Sequence, residues 1–316
     1  MALAAAPATS DRDAARGMAL MCCAMLVIPA VDALAKYMSQ SLPPFQIAFL
    51  RYAVQTVLLA VWLKMIRRDI VLDNAARAVL RTLFVIGALM AFAVSCLFWG
   101  LKVLPLANAI ALFFVAPLIL TMFSKWFLGE RVGWHRTTAV LVGFLGALVV
   151  VRPNYVEFGW YAVLPLLAAL GFAMVVTIMR KISSAIDPLR LQTITGGSAS
   201  VFLGIAVLLG STTGSDIVAW EGPSATQWLL FLVLGSAATL AQMLMTRAIK
   251  LAEASLLAPF HYIEIVGATL FGYLVFSEFP DAMTWFGTGI ILAAGLYVIH
   301  RERVLAKRRR ALFVKP

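Results

Sequence analysis

Three stretches of this chain, Thr82–Leu101, Val103–Ser124 and Phe158–Met179, run for 20 to 22 residues without one charged side chain. A helix needs about 20 mostly apolar residues to cross a bilayer, and its backbone polar groups must bond within the segment itself. Uncharged runs of this length predict spanning helices, whereas the strands of a membrane barrel would alternate apolar and polar residues over segments of about ten. Composition agrees. The chain is 62% hydrophobic and 13% charged, with a mean hydropathy of +0.93, against about 25% charged residues in an ordinary soluble domain. The expected fold class is an all-α integral membrane protein.

Charges, prolines and polar clusters divide the chain into ten expected spans, at 17–36, 45–66, 80–101, 105–128, 133–151, 159–180, 189–209, 226–248, 255–276 and 283–300. Helix-breaking pairs such as Pro43 and Pro44, or Asp187 and Pro188, mark several of the turns, and Gly210–Ala225 is the one loop of any length. Asp11 and Asp13 precede the first apolar run, which is long, so that run is expected to be a retained span and not a cleaved signal.

The formal charge of +11 resembles a nucleic-acid signal, but seven of the 26 basic residues fall between Arg301 and Lys315. That cluster reads as a cytoplasmic tail beside anionic lipid. Short cytoplasmic loops carry the excess of Lys and Arg. Placing both termini inside puts 22 of the 26 basic residues on the inner side, leaving Lys36, Lys102 and Arg152 outside and Arg51 within a span. No nucleic-acid partner is expected. Cys22, Cys23 and Cys96 lie in apolar segments and suggest neither a disulfide nor a metal.

The two halves of the chain echo each other. Lys102 and Glu130 bracket the fourth span and Lys250 and Glu278 the ninth, at an offset of 148 residues, while Lys36, Pro44 and Phe45 fall on Arg180, Pro188 and Leu189 at an offset of 144. Two units of five spans must have opposite membrane orientations, because five is odd. This is the inverted-repeat arrangement of secondary transporters. The expected organisation is a cytoplasmic segment 1–16, a first repeat 17–151, a second repeat 152–300 and a basic cytoplasmic tail 301–316.

Further motifs point to a family. Asp32-Ala33-Leu34-Ala35-Lys36-Tyr37 ends the first span, Gly129-Glu130-Arg131 follows the fourth, and Leu257-Ala258-Pro259-Phe260-His261-Tyr262-Ile263-Glu264 lies in the ninth; Ser277-Glu278-Phe279-Pro280 and a basic tail close the chain. In these features, over nearly its whole length, the chain resembles the drug/metabolite transporter superfamily, in its bacterial ten-helix type with two EamA-like halves. The resemblance implies ten helices around a central cavity, used in alternating access for small organic metabolites. Ser277 stands where the first half has Gly129, a local departure from the repeat.

Ionisable groups inside a bilayer are expensive and mark functional positions by default; three lie well inside spans, namely Asp32, Arg51 and Glu264. Asp32 and Arg51 fall at about the same depth, which fits an ion pair, a pairing of Asp32 with Lys36 one turn on, or an Arg51 that receives an anionic group bidentately. Glu264 lies near the midplane of the ninth span, where transporter sites usually sit. At helical spacing it has Phe260, His261, Gly267 and Ala268 around it. The functional reading is a substrate or proton site, and the structural one a hydrogen bond from Glu264 to His261 or Gln242. Trp99, Phe113, Phe114, Phe172 and Tyr262 are the aromatics placed to line a cavity. Pro29, Pro117, Pro165 and Pro259 are candidate bends. Four-residue stripes of small residues, among them Gly87-Ala91-Ser95, Ala139-Gly143-Ala147 and Gly196-Ser200-Gly204, suit close helix packing, or a homodimer contact.

No phosphate-binding G-x-x-x-x-G-K-[ST] loop and no H-E-x-x-H motif occurs in the sequence. The expected function is secondary transport of an amino-acid-like, nucleoside-like or flavin-like metabolite across a bacterial inner membrane, with a coupling proton and no cofactor. The alternatives are a membrane-embedded enzyme and a non-transporting scaffold or receptor.

Overall fold

The computed structural model describes residues 11–66, 79–127, 134–182, 187–212, 216–252 and 254–313. Among them the regular structure is entirely helical: α1 (Asp11–Ser39), α2 (Pro44–Met65), α3 (Leu80–Val103), α4 (Leu106–Phe113), α5 (Ala116–Phe127), α6 (Trp134–Phe158), α7 (Leu164–Ile182), α8 (Pro188–Gly210), α9 (Ala225–Leu251), α10 (Ala254–Leu257), α11 (Ile263–Phe276) and α12 (Ala282–Phe313). Tight 3₁₀ turns at Gly159–Val163 and Ala258–Tyr262 lead into α7 and α11. Eight segments are long and apolar enough to cross a membrane, and Thr137–Val151 and Ala282–Val298 are shorter apolar helices. The chain is a ten-helix membrane protein.

Local chemistry explains the starts and breaks. Pro44 and Pro188 each open a helix behind an extended residue, with φ −61, ψ 134 at Pro43 and φ −60, ψ 133 at Asp187. Proline suits the first helical turn because its missing N–H would have no partner there, and it forces the residue before it to be extended. Ser224 caps α9 through a reciprocal box with Gln227. The fourth span is not continuous: Phe114 and Val115 separate α4 from α5, two residues before Pro117. Pro259 sits in the turn that breaks the ninth span. Pro165 lies just inside α7, whereas Pro29 stays within an unbroken α1. Span five outruns its expected end at 151, since α6 continues to Phe158 and stops where Gly159 takes φ +64, a conformation open to glycine.

The outer surface is a coat of large apolar side chains. Along α6, Leu141, Leu145 and Leu148 are exposed at successive turns, as are Leu229, Leu232 and Val233 on α9 and Val266, Leu270 and Leu274 on α11. An apolar surface this extensive would aggregate in water and suits a hydrocarbon solvent.

Helix packing follows the two halves. The broadest neighbour pairs are α6 with α12, α1 with α9, α2 with α8, α3 with α7 and α3 with α8. Counting spans one to five against six to ten, the exchange of halves sends α1·α9 onto α7·α3 and α3·α8 onto α9·α2. Single contacts obey the same exchange. A Cβ at Gly87 would collide with Ser198, and one at Gly235 with Val54, its counterpart pair at offsets of 148 and 144. Between α6 and α12, Gly143 faces Ala294, Gly146 faces Ile290 and Gly287 faces Val150. Glycine at these places lets helix backbones approach more closely than any side chain permits. The stripes at Gly87, Gly143 and Gly196 are thus occupied within the chain.

Candidate functional site

Pro29 of α1 sets its ring in the notch left by Gly267 of α11, where a Cβ would come within 2.7 Å of Pro29 Cγ. That contact holds α1 and α11 together one turn below Asp32 and one turn above Glu264. Both carboxyls are buried, with 6% and 8% of their residue surface exposed, and they lie within electrostatic reach of each other. The Arg51 guanidinium, on α2, is within electrostatic reach of Asp32, but the expected ion pair is not formed, since no salt bridge or hydrogen bond joins the two. Arg51 rests over the Tyr52 ring at 4.6 Å, and its Nη1 is buried without a hydrogen-bond partner. Asp32 of span one is thus within electrostatic reach of both Arg51 of span two and Glu264 of span nine.

The structure rearranges several expected pairs. Lys36 does not turn to Asp32; its ammonium bonds Glu278 Oε1 at 2.7 Å and Oε2 at 2.8 Å and the Leu104 carbonyl at 2.6 Å. No hydrogen bond joins Glu264 to His261 or to Gln242. His261 lies in the 3₁₀ turn and Glu264 in the first turn of α11, and neither side chain has the other as a partner. Gln242 uses its backbone carbonyl to accept the Thr246 hydroxyl, and Thr246 in turn accepts from the Gln192 amide. Trp99 belongs to an aromatic cluster with Trp160 and Tyr161 at the start of the sixth span, with centroids at 4.8 and 6.1 Å. Tyr262 packs on Phe114 at 5.6 Å and directs its hydroxyl at Gly295. Phe113 and Phe172 meet at 5.5 Å.

Buried neutral polar residues inside the spans escaped the sequence reading. Gln55 is one turn along α2 from Arg51 and 6% exposed, and its Oε1 has no partner; the hydroxyls of Thr56 and Ser95 are likewise buried and unpaired. Unsatisfied buried oxygens are rare and costly in a settled interior. Their signal in the sequence is the i,i+4 spacing of Gln55 from Arg51, which is weak because a neutral amide inside a span is common. Among the described residues no group of His, Cys, Asp and Glu could hold a metal ion.

Comparison with known proteins gives this arrangement its context. The model of the EamA-like transporter family matches residues 15–152 and again 159–300. The chain belongs to that family. Within it, the chain is 29% identical over 281 residues to an S-adenosylmethionine uptake transporter of Rickettsia felis, covering 88% of this chain and 90% of that protein. It is 32% identical to the pseudopaline exporter CntI of Pseudomonas aeruginosa, covering 91% and 96%, and 29% identical to a riboflavin transporter of Vibrio cholerae, covering 93% and 96%. A solved crystal structure superposes with a TM-score of 0.60 at 18% identity over 92% of this chain and 99% of its own, which establishes a shared fold. This EamA protein is accordingly a multi-pass membrane transporter of small molecules, of a kind its relatives place in bacteria.

Proposed function

We propose that the chain is a secondary active transporter of the bacterial inner membrane, with both termini cytoplasmic, and that its halves, 17–151 and 152–300, alternate around a site built on Asp32, Arg51 and Glu264. One observation supports this reading: the buried Asp32 lies within electrostatic reach of both Arg51 and Glu264, and Arg51 Nη1 is buried without a partner. Charged groups inside a membrane are retained where they meet a substrate or an ion. The mixed set of two acids and one guanidinium suits a substrate that carries a cationic group for the acids and an anionic or carbonyl group for Arg51. Amino-acid-like compounds fit this best, and the name of the Rickettsia relative, an S-adenosylmethionine uptake transporter, supports that class. A nucleoside-like or flavin-like compound fits through Arg51 and the nearby aromatics, and the Vibrio relative supports that choice. A proton taken up by Glu264 would couple the movement, and His261 and Gln242 complete the site only if they rotate towards it. The stripes of small residues are used inside the chain, so a homodimer would form through the apolar outer surface.

The test is flux in proteoliposomes with labelled S-adenosylmethionine, riboflavin and amino acids. Glu264→Gln keeps the shape and hydrogen-bonding reach of the side chain while removing its charge, so it is expected to insert and fold normally and to lose flux at every pH between about 5.5 and 8. Wild-type flux in Glu264→Gln across that range places the site elsewhere.

A further inference from the structure

Lys36 is the most deeply buried Lys or Arg among the described residues, 3% exposed, and every acceptor its ammonium uses belongs to another segment. Leu104, whose carbonyl it meets, ends α3; Glu278, its carboxylate partner, stands in the turn between α11 and α12. Glu278 Oε2 also accepts the Leu106 N–H at 3.1 Å, which opens α4, and Lys36 lies over the Phe276 ring at 5.1 Å. Ser277, left-handed at φ 57, turns the chain so that the Glu278 N–H returns to the Gly272 carbonyl and the carboxylate points inward. One ammonium thus joins the end of span one to the start of span four and the end of span nine, all at one end of the molecule.

We infer that the Lys36–Glu278 bridge is the latch that closes this end of the transport pathway and must open for the site to be reached from it. A buried ion pair adds little stability over well-packed apolar residues, because desolvating both charges offsets most of their attraction. A switch between defined arrangements is its best-attested use, since Lys36, 3% exposed against 29% for Glu278, would be left as an uncompensated buried charge without its partner. The contacts it makes are with helix ends and turns and not with helix bodies, so they are the contacts a rocking movement would change first. At the other end Arg180, related to Lys36 by the 144-residue offset, donates to the Ser124 hydroxyl at 3.2 Å, while Glu130, the counterpart of Glu278 at the 148-residue offset, lies outside the described residues.

The inference rests on alternating access, and thiol accessibility tests it without any measurement of flux. In full-length protein in lipid nanodiscs, where reagent reaches both faces, Cys22, Cys23 and Cys96 are replaced by alanine and a single probe is introduced as Ser95→Cys or, near Arg180, Ser124→Cys. Ser95 and Ser124 are both buried, 2% and 1% exposed. Glu278→Gln keeps the shape and the acceptor for Leu106, and Lys36→Met removes the other charge. A latch predicts that each substitution speeds maleimide labelling of the Ser95→Cys probe about tenfold or more and leaves labelling of the Ser124→Cys probe unchanged or slower. Faster labelling of both probes means that the bridge only supports the fold, and unchanged labelling of both means that it gates nothing; either result overturns the inference. If the labelling pattern holds while the parent protein moves no substrate, the latch stands and the transport reading fails.

Discussion

Phe114 and Tyr262 occupy equivalent places in the two halves, 148 residues apart, and their rings pack against each other at 5.6 Å with planes inclined by 32°. Each stands at a break, Phe114 between α4 and α5 and Tyr262 at the end of the turn before α11. Residues exchanged by a twofold relation can touch only near its axis, so the two broken spans cross where both are interrupted. The tyrosine hydroxyl continues to Gly295 of α12, which has no side chain to obstruct it.

Gly295→Ala is therefore expected to displace the Tyr262 ring and to destabilise the protein by about 1–3 kcal/mol, as overpacked interiors do. Tyr262→Phe should restore most of that loss, because the hydroxyl is the atom in the way. Thermal unfolding of the two single variants and the double variant in detergent measures the rescue; additive effects would mean that the contact is unimportant.

Asp32 and Arg51 act on each other inside the membrane region, and removing one leaves the other charge uncompensated. Asp32→Asn and Arg51→Gln should each lower transport or stability more than the two together, with a coupling energy of about 0.5–3 kcal/mol. A double variant no better than either single one, with all three inserted, would show that the residues work separately.

Gln46 is fully buried and holds the Glu221 backbone twice, donating to its carbonyl at 2.7 Å and accepting its N–H at 3.0 Å. Gln46→Leu leaves both backbone groups without that partner, at a cost of about 1–3 kcal/mol. Limited proteolysis should then cut the 216–224 segment at least several-fold faster than in the parent protein, with the helices intact. An unchanged cleavage rate would show that the segment is held by other contacts, such as Phe45 N–H to the Ile217 carbonyl.

The proposed orientation puts Ser39 and the 216–224 loop on the outer face and both termini on the inner one. Reporter fusions after Ser39 and after Gly222 should both be active outside the cytoplasmic membrane. Cytoplasmic activity at either place contradicts the orientation or the number of spans before it.

The length of the uncharged runs by itself determined that this chain lies in a membrane as helices, because a bilayer fixes how many apolar residues a span needs. Pro44 and Pro188 likewise set the starts of α2 and α8, since proline acts on its own backbone and the residue before it. The membrane helices and the family were legible from such local and linear features. The partners of buried charges were not. Lys36 is four residues from Asp32 and 242 from Glu278, yet it bonds the latter, because the packing of α1 against α11 and the turn at Ser277 bring that carboxylate to it. His261 has the right spacing from Glu264 for a helical pair, yet no hydrogen bond joins them across the junction of the 3₁₀ turn and α11. Long side chains can reach several partners along a sequence, and only the crossing of helices decides which of them is desolvated at the same place. Only tertiary packing brings Asp32 within electrostatic reach of Arg51 and Glu264, and only it leaves the Gln55 oxygen buried without a partner.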